Sequence, residues 1–294
     1  MPKILNIGSL NIDHVYRVPR FVKPGETLSS FSLQDFPGGK GLNQSIALAR
    51  AGAEVSHVGK IGSDGEFLIQ HLTAAGVNVC HIDRMGSSTG HAIIQVNDDG
   101  QNCILLYSGA NRELNPERLK PVFADFNEGD FLVLQDEVNS VAEMMLLAKS
   151  HKMQVVFNPS PMRGEILSYP LECVDWFLLN EAEGQALTQK NSPEDILDEM
   201  HRRYPSSVTV LTLGKDGVVC KAGSHIYSHG IYNIPVVDTT AAGDTFTGFF
   251  IASIAKGRTI NEALHLASVA SSLAVSRKGA SVSIPSLSEV ENFR

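Results

Sequence analysis

The 294-residue sequence contains only four cysteines, and they are widely separated. Cys80, Cys103, Cys173 and Cys220 form no CxxC pair, which argues against a disulfide framework and against a cysteine zinc site. Dispersed thiols of this kind are typical of a reducing compartment. The N-terminal run MPKILNIG is too short for a signal peptide. We therefore predict a cytoplasmic protein.

The chain also lacks an excess of positive charge and any long hydrophobic run. Its 24 Lys and Arg residues face 32 Asp and Glu residues, which gives a formal net charge of -8. A general binder of nucleic acid or membrane surfaces needs a basic surface. No stretch approaches the ~20 apolar residues of a membrane span. We therefore expect neither nucleic acid nor membrane as a partner.

Two nucleotide-binding signatures and an obvious metal site are absent as well. No Gly-Lys pair is followed by Ser or Thr, so there is no Walker loop. The first predicted strand, which ends at Gly8, is not followed by GxGxxG, and this weakens the interpretation as a dinucleotide-binding dehydrogenase. The ten histidines contain one close pair, His225 and His229, on a predicted hairpin where we expect no metal.

Short apolar runs alternate with helical patterns along the chain. Buried strands are predicted at residues 3–8, 55–62, 131–135, 154–158, 175–180 and 208–214, and helices at 41–52 and 64–76. Capping residues predict further helix starts at Asn115-Pro116, at Ser192-Pro193 and at Thr259. This alternation predicts an α/β fold in which helices cover both faces of a mostly parallel sheet.

Residues 13–36 and 91–109 interrupt the alternation. The segments 13–21 and 26–36 have the pattern of antiparallel strands, and so has 91–109 around the turn Asp98-Asp99-Gly100. We interpret these stretches as a small β-sheet lid over the open end of the main sheet. Because its strand edges and apolar face need cover, we expect a homodimer through the lid.

The segment VVDTTAAGDTFTG (236–248) contains a strand end, a turn of small residues and a helix start. The backbone N–H groups of Ala241, Ala242 and Gly243 are expected to face an anion there, helped by the helix dipole. Asp244 has two interpretations of equal weight. It caps the helix, which stabilises it by about 1 kcal/mol, or it faces a hydroxyl that attacks a bound phosphate.

A glycine-rich helix start and a polar strand end are equally ambiguous when taken alone. FPGGKGLNQS (36–45) permits close backbone approach and offers Lys40 and Asn43, but such a loop more often serves packing. In GSLNIDH (8–14), Asn11 and Asp13 share one side of an extended segment. Their amide and carboxylate suit vicinal hydroxyls, or they form an Asx turn.

Two further acidic residues follow predicted strands. Glu137 comes shortly after the strand FLVLQ (131–135). In NEAE (180–183), Asn180 and Glu183 lie on one helix face, where they suit a hydrated magnesium ion or a helix cap.

Five segments in this order resemble the ribokinase branch of the PfkB-type carbohydrate kinase family, from Lys3 to Pro285. They are GSLNIDH, PGGKGLNQ, NEAE, LTLGKDG and DTTAAGDTFTG. The resemblance implies a ribokinase-like three-layer sandwich with a mostly parallel central sheet and a small β-sheet lid. The kinase domain would span residues 1–294, with the lid formed by about 13–36 and 91–109.

The resemblance also implies a role for individual residues. Asp244 would be the catalytic base, beside an anion hole formed by Ala241, Ala242 and Gly243. The sugar-binding positions would be Asn11, Asp13, Gly39, Lys40, Asn43 and Glu137. Nucleotide and magnesium would be bound at Asn180, Glu183, Thr212, Gly214, Gly217 and Ser268, where Ser268 replaces a histidine of the family. A potassium ion would be held at Asp238, Thr240, Ala274, Arg277, Gly279 and Ser283.

The implied activity is ATP-dependent phosphorylation of the primary hydroxyl of a pentose, with D-ribose favoured and with Mg²⁺ and K⁺ as cofactors. The alternatives are fructose or a related hexose, deoxyribose, a polyol, or a nucleoside whose base would stack on Tyr16, Phe31 or Tyr107. A non-catalytic sugar sensor on the same scaffold would lack Asp244 or Gly243, and both are present.

Overall fold

The computed structural model describes residues 1–293, which form two β-sheets and a set of surrounding helices. The strands are β1 (Ile4–Ile7), β2 (Asn11–Arg17), β3 (Ser32–Gly38), β4 (Val55–Lys60), β5 (Asn78–Asp83), β6 (Gly90–Val96), β7 (Asn102–Tyr107), β8 (Phe131–Gln135), β9 (Gln154–Asn158), β10 (Trp176–Asn180), β11 (Val208–Thr212), β12 (Val218–Ala222) and β13 (His225–His229). The helices are α1 (Lys40–Arg50), α2 (Glu66–Ala74), α3 (Pro116–Leu119), α4 (Val141–Ser150), α5 (Glu181–Thr188), α6 (Pro193–Arg203), α7 (Ala242–Ala255), α8 (Ile260–Val275) and α9 (Leu287–Glu291).

The large sheet has nine strands in the order β13-β12-β11-β10-β9-β8-β1-β4-β5. In this sheet, the seven neighbouring strands β11-β10-β9-β8-β1-β4-β5 are parallel to one another. At one edge, β12 and β13 add an antiparallel hairpin. All five residues of β8 are buried, as expected for a central strand with helices on both faces. The structure therefore confirms the predicted mostly parallel sheet.

Alternate side chains of the central strands enter two separate hydrophobic cores. Ile4 and Val133 pack in one core with α1, α2, α7 and α8, whereas Leu5 and Leu134 pack in the other with α4, α5 and α6. Because successive side chains of a strand point to opposite faces, one short apolar run supplies both cores. The result is the three-layer α/β/α arrangement. Within residues 1–293, none of the helices has the length and apolarity needed to cross a bilayer.

The predicted helix starts are found, and one helix is shorter than its start suggests. Ser192 caps α6, and Thr259 with Glu262 forms a capping box on α8. After Asn115, however, α3 lasts only four residues and continues as a 3-10 turn over Lys120–Asp125. Pro121 has no N–H for an α-helical hydrogen bond and accounts for the early end.

The small sheet has the strand order β3-β2-β6-β7. The pairs β2–β3 and β6–β7 are antiparallel as predicted, but the central pair β2–β6 is parallel. The strands predicted over 13–21 and 26–36 were too long, since residues 18–31 contain no strand. Pro19, Pro24 and Gly25 explain the break, because proline cannot donate to a sheet.

Candidate active site

A cavity opens at the carboxyl ends of the parallel strands, between α1 and the start of α7. Such strand ends are where open α/β sheets bind their ligands. Lys40, Asn180, Glu183, Thr212, Gly243 and Asp244, six of the predicted site residues, line this cavity together with Asn158, Leu178, Leu179, Phe246 and Thr247. Residues far apart in the chain thus form one site.

Asp244 lies in the first turn of α7, and its side chain is 6% exposed. Its Oδ1 accepts a hydrogen bond from Gln44 Nε2 at 2.9 Å, and its Oδ2 accepts one from Asn43 Nδ2 at 3.1 Å. The ammonium of Lys40 lies 4.0 Å from Oδ1. No side chain within residues 1–293 caps α7. Of the two interpretations of Asp244, the helix cap is therefore wrong, and the carboxylate instead lines the cavity.

The turn before α7 presents backbone to the same cavity. Ala241 has φ 60°, a left-handed conformation that is unusual for a residue with a side chain. The first N–H groups of a helix have no partner inside the helix. The N–H groups of Ala241, Ala242 and Gly243 were all expected to face an anion. That of Ala242 instead donates to the Thr239 carbonyl at 3.2 Å. A Cβ added at Gly243 would meet nothing within 4 Å, so a ligand has open access there.

The start of α1 and the start of β2 approach each other closely. A Cβ added at Gly38 would overlap the carboxylate of Asp13, so only glycine fits there. Gly39 has φ 95°, which directs the chain from β3 into α1. Asn11 Oδ1 accepts from Asn111 Nδ2 at 2.7 Å, which orients this amide beside Asp13.

Three charged groups lie between the small sheet and the cavity. Glu137 Oε2 accepts hydrogen bonds from the Ser9 hydroxyl and, at 2.9 Å, from the Lys40 backbone N–H. Burial raises the pKa of Glu137, although the charge of Lys40 opposes this. Burial, followed by the negative charge of Glu137, raises the pKa of Asp13 to about 7.

Lys40 is the cation that these carboxylates share. Burial of its ammonium lowers the pKa, but the charges of Asp244, Glu137 and Glu183 outweigh it, and the pKa of Lys40 is raised. The lysine is therefore charged at neutral pH. It supplies positive potential beside Asp244, in a chain whose net charge is negative.

Three of the six predicted nucleotide- and magnesium-binding residues, Asn180, Glu183 and Thr212, line the other side of the cavity. Asn180 and Glu183 form a capping box at the start of α5, and Asn158 Nδ2 donates to Glu183 Oε2 at 3.3 Å. Thr212 ends β11, and the loop after it turns at Gly214 and Gly217, which have φ 56° and 94°. Ser268 is buried on α8 and does not line the cavity.

These residues suit a magnesium ion held mainly by water and by a nucleotide. Within residues 1–293 there is no cluster of three or more His, Cys, Asp or Glu side chains that could enclose a metal. Magnesium often keeps several of its waters and binds to one or two carboxylates plus substrate phosphates. Glu183 is the cavity carboxylate on the side of Asn180 and Thr212. Both of its oxygens already accept hydrogen bonds from Asn180 or Asn158, so it suits contact with the water shell of the ion.

Three of the six predicted potassium-binding residues, Asp238, Thr240 and Gly279, are joined by hydrogen bonds. The Asp238 carboxylate accepts from the Thr240 N–H and from the Gly279 N–H, each at 2.9 Å. Burial raises the pKa of Asp238, but these hydrogen bonds lower it below the usual value. Ser283 is buried and lies four residues after Gly279 in the sequence. The Arg277 guanidinium forms an ion pair with Glu289. A carboxylate that joins the turn before α7 to the loop after α8 fits a monovalent cation.

Four polar residues of the site were not assigned a role from the sequence. Ser9 and Asn111 orient Glu137 and Asn11, while Gln44 and Asn158 contact Asp244 and Glu183. Asn158 ends a predicted strand, and this position is a usable signal. Gln44 and Asn111 have no comparable signal, because their partners are about 200 and 100 residues away.

Two of the three aromatic residues considered for a nucleoside base, Tyr16 and Tyr107, lie on the side of the small sheet opposite Asp13. Asp13 pairs with Ala92 in the sheet register, whereas Tyr16 pairs with Gln95 and Tyr107 with His91. Side chains alternate along a strand, so Tyr16 and Tyr107 project from the face opposite Asp13. They form no platform beside the predicted sugar site.

The chain is similar to known carbohydrate kinases over almost its whole length. The family model described as pfkB family carbohydrate kinase matches residues 1–287. The chain is 36% identical to a ribokinase of Haemophilus influenzae, with 100% of this chain and 99% of that protein covered. It is 30% identical to a deoxyribokinase of Salmonella typhimurium, with 98% and 97% covered.

Solved structures give the same result. A ribokinase from Cryptococcus neoformans in complex with ADP matches with a TM-score of 0.88 and 33% identity, covering 99% of each chain. A ribokinase from Arabidopsis thaliana complexed with ribose and ATP matches with a TM-score of 0.87 and 28% identity, covering 100% of this chain and 99% of that one.

Proposed function

Because the chain belongs to the pfkB family of carbohydrate kinases, we propose that it transfers the γ-phosphoryl group of ATP to the primary hydroxyl of D-ribose. The observation that carries this proposal is the position of Asp244. Its carboxylate lines a cavity between a glycine-rich helix start and the open N-terminus of α7. A base beside a phosphate-binding turn is what transfer to an alcohol requires.

Phosphoryl transfer has a loose transition state, so positioning and charge stabilisation supply most of the rate. The sugar hydroxyl attacks the γ-phosphorus in line with the leaving ADP oxygen. Asp244 orients this hydroxyl and takes its proton late, as the new P–O bond forms. An aspartate is too weak a base to ionise an alcohol beforehand, but a positioned base still contributes about 10²–10⁴-fold.

The charge that develops on the transferred group needs donors. The turn offers the backbone N–H groups of Ala241 and Gly243 and the positive end of the α7 dipole, whereas the Ala242 N–H already donates to the Thr239 carbonyl. Lys40 adds a full positive charge 4.0 Å from Asp244. We assign these groups to the equatorial oxygens of the γ-phosphoryl group, because they surround the base and carry positive potential.

Asn11, Asp13, Gly39, Lys40, Asn43 and Glu137 are the proposed sugar-binding residues. The carboxylates of Asp13 and Glu137 suit vicinal hydroxyls as acceptors. Asn43 Nδ2 is used by Asp244, but its buried Oδ1 has no hydrogen-bond partner within residues 1–293. A buried polar atom without a partner is costly, and a sugar hydroxyl would satisfy it.

The nucleotide and its cations occupy the other end of the proposed site. Thr212, Gly214, Gly217 and Ser268 are assigned to the nucleotide, and Asn180 with Glu183 to the hydrated Mg²⁺, which neutralises phosphate charge. Asp238, Thr240, Ala274, Arg277, Gly279 and Ser283 are assigned to K⁺. This ion would hold the two loops that flank the anion-binding turn.

The small sheet is proposed to act as a lid and as the surface through which two copies associate. All six residues of β7 are exposed, and they include Ile104, Leu105, Leu106 and Tyr107. Phe31 and Leu33 add further exposed apolar area on β3 and just before it. A patch of this kind is unusual on a monomer and marks an interaction site. The four free cysteines suit a cytoplasmic location.

A coupled assay of ADP release tests the substrate. We expect ribose to give the highest kcat/KM in a panel that also contains 2-deoxyribose, fructose, a polyol and a nucleoside. Deoxyribose is the second candidate, since a deoxyribokinase is among the relatives. A chain that releases ADP with none of these acceptors, or equally without acceptor, would refute the assignment.

A further inference from the structure

We infer that Gln44 is a positioning residue for the base: its side-chain amide holds the Asp244 carboxylate and fixes the distance from that carboxylate to Glu183. The inference rests on the proposed function, because it concerns the rate of the same transfer. Gln44 is completely buried on α1 and does not line the cavity. It therefore acts through other residues and makes no contact with substrate.

The contacts of Gln44 connect the two acidic groups of the site. Gln44 Nε2 donates to Asp244 Oδ1 at 2.9 Å and to Asn158 Oδ1 at 3.3 Å. Asn158 Nδ2 donates in turn to Glu183 Oε2 at 3.3 Å and to the Leu178 carbonyl at 3.0 Å. Two amides, those of Gln44 and Asn158, thus link the proposed base on α7 to Glu183 on α5, the carboxylate assigned to the nucleotide side.

The orientation of the Gln44 amide is determined by a chain of buried amides behind it. Asn6 Nδ2 donates to the backbone carbonyl of Gly41 at 2.9 Å, so Asn6 Oδ1 faces the other way. Gln135 Nε2 donates to this Oδ1 at 3.0 Å and to Gln44 Oε1 at 2.7 Å. With its oxygen used in this way, Gln44 presents only its NH₂ group to Asp244.

The direction of this chain of hydrogen bonds is fixed at the Gly41 carbonyl, because a backbone carbonyl can only accept a hydrogen bond. If Gln44 were turned over, its oxygen would face the Asp244 carboxylate and its NH₂ group would face the NH₂ group of Gln135. Both contacts would be repulsive, and buried groups without partners are costly. Asn6 on β1 and Gln135 on β8 are both completely buried in the central strands. The most rigid part of the sheet therefore determines where the base points.

Asn43 alone would not hold the carboxylate. Its single hydrogen bond to Oδ2 is 3.1 Å long and leaves rotation about the last side-chain bond of Asp244 free. The second bond, from Gln44 to Oδ1, fixes the carboxylate plane. A misplacement of about 1 Å can lower a rate about 10²-fold. Loss of this bond is thus expected to act on kcat and not on sugar binding.

The test is the Gln44→Met variant, which keeps the side-chain length and removes both the donor and the acceptor. We expect kcat to fall by about 10–100-fold, with the KM for ribose and the dissociation constant for ADP each within about 3-fold of wild type. The matched control is Ser253→Ala. It removes a buried hydrogen bond from α7, from the Ser253 hydroxyl to the Phe249 carbonyl, away from the cavity. Its kcat should stay within about 3-fold of wild type.

A second variant keeps the test decisive if Gln44→Met is not folded. Gln135→Met removes the donor that orients the Gln44 amide but changes neither Gln44 nor Asn43, the two residues that donate to Asp244. Because the Gln44 amide is then less well oriented, kcat should fall by about 3–10-fold, again without a change in KM. An unchanged kcat in either folded variant, or an equal fall in Ser253→Ala, would overturn the inference. Failure of the proposed function is distinguishable, because the wild-type chain itself would then release no ADP with ribose.

Discussion

The substitution Asp244→Asn tests the role of the base most directly, because it keeps the shape of the side chain and removes its charge. Asparagine has one oxygen in place of two, and both oxygens of Asp244 accept a hydrogen bond, from Gln44 at 2.9 Å and from Asn43 at 3.1 Å. The new NH₂ group must therefore face one of these amides. The variant loses the proton acceptor and one buried hydrogen bond together.

The two losses have different magnitudes and different observables. Removing a positioned base lowers the rate by about 10²–10⁴-fold, which corresponds to about 2.7–5.5 kcal/mol in activation free energy at about 1.36 kcal/mol per tenfold change. A buried donor without an acceptor lowers the free energy of unfolding by about 1–3 kcal/mol. At about 2–4 °C per kcal/mol, the sensitivity typical of domains of about 150–250 residues, the melting temperature should fall by roughly 2–12 °C.

The assay is ribose-dependent ADP release, with the melting temperature and calorimetric ADP binding measured on the same samples. ADP binding should be retained, because Thr212 and the loop after it are unchanged. The control is Asp99→Asn in the exposed β6–β7 turn, which removes the same charge away from the site. If Asp244→Asn retained more than about a tenth of the wild-type kcat, a base contribution of 10²-fold or more would be refuted.

Three further predictions concern other parts of the site. Because the pKa of Asp13 is raised to about 7, its carboxylate is mostly ionised, and able to accept hydrogen bonds from sugar hydroxyls, only above that pH. The kcat/KM for ribose should therefore rise with pH up to about 7, and the Asp13→Asn variant should lose this rise. K⁺ should raise activity over a choline control, and Asp238→Asn should abolish the difference, whereas equal rates of the wild type in both salts would contradict the cation site. Leu105→Lys places charges on exposed β7 and should convert a dimer into a monomer by light scattering; a wild-type chain that is already monomeric would disprove association through the lid.

Local patterns predicted much of the scaffold. The strands at 131–135 and 154–158 have the bounds expected from their apolar runs, because a strand buried on both faces is apolar at every position. The caps at Ser192 and Thr259 were also found, since a cap needs only residues within one turn. Where a second local signal competed, the predicted strands were too long, because Pro19 and Pro24 remove strand structure from residues 18–31.

The candidate site was only partly predictable. Gly39 and the turn before Asp244 carry a local signature, so their place at helix starts could be inferred from neighbouring residues. Gln44, Asn111 and Ser9 carry none, because a buried amide or hydroxyl is recognisable only by its partner. Gln44 and Asp244 are separated by 200 positions and meet at 2.9 Å.

By itself, the sequence determined the layer order, the helix starts and the glycine loops, because hydrophobic period, capping and backbone freedom act over a few residues. Only the tertiary structure decided that Asp244 faces a cavity instead of capping its helix, and that the central pair of the small sheet is parallel. Hydrogen bonds between distant segments decide both features. Asn6, Gln135 and Gln44, for example, lie far apart in the chain and meet only in the folded structure, so no short stretch of chain encodes their contacts.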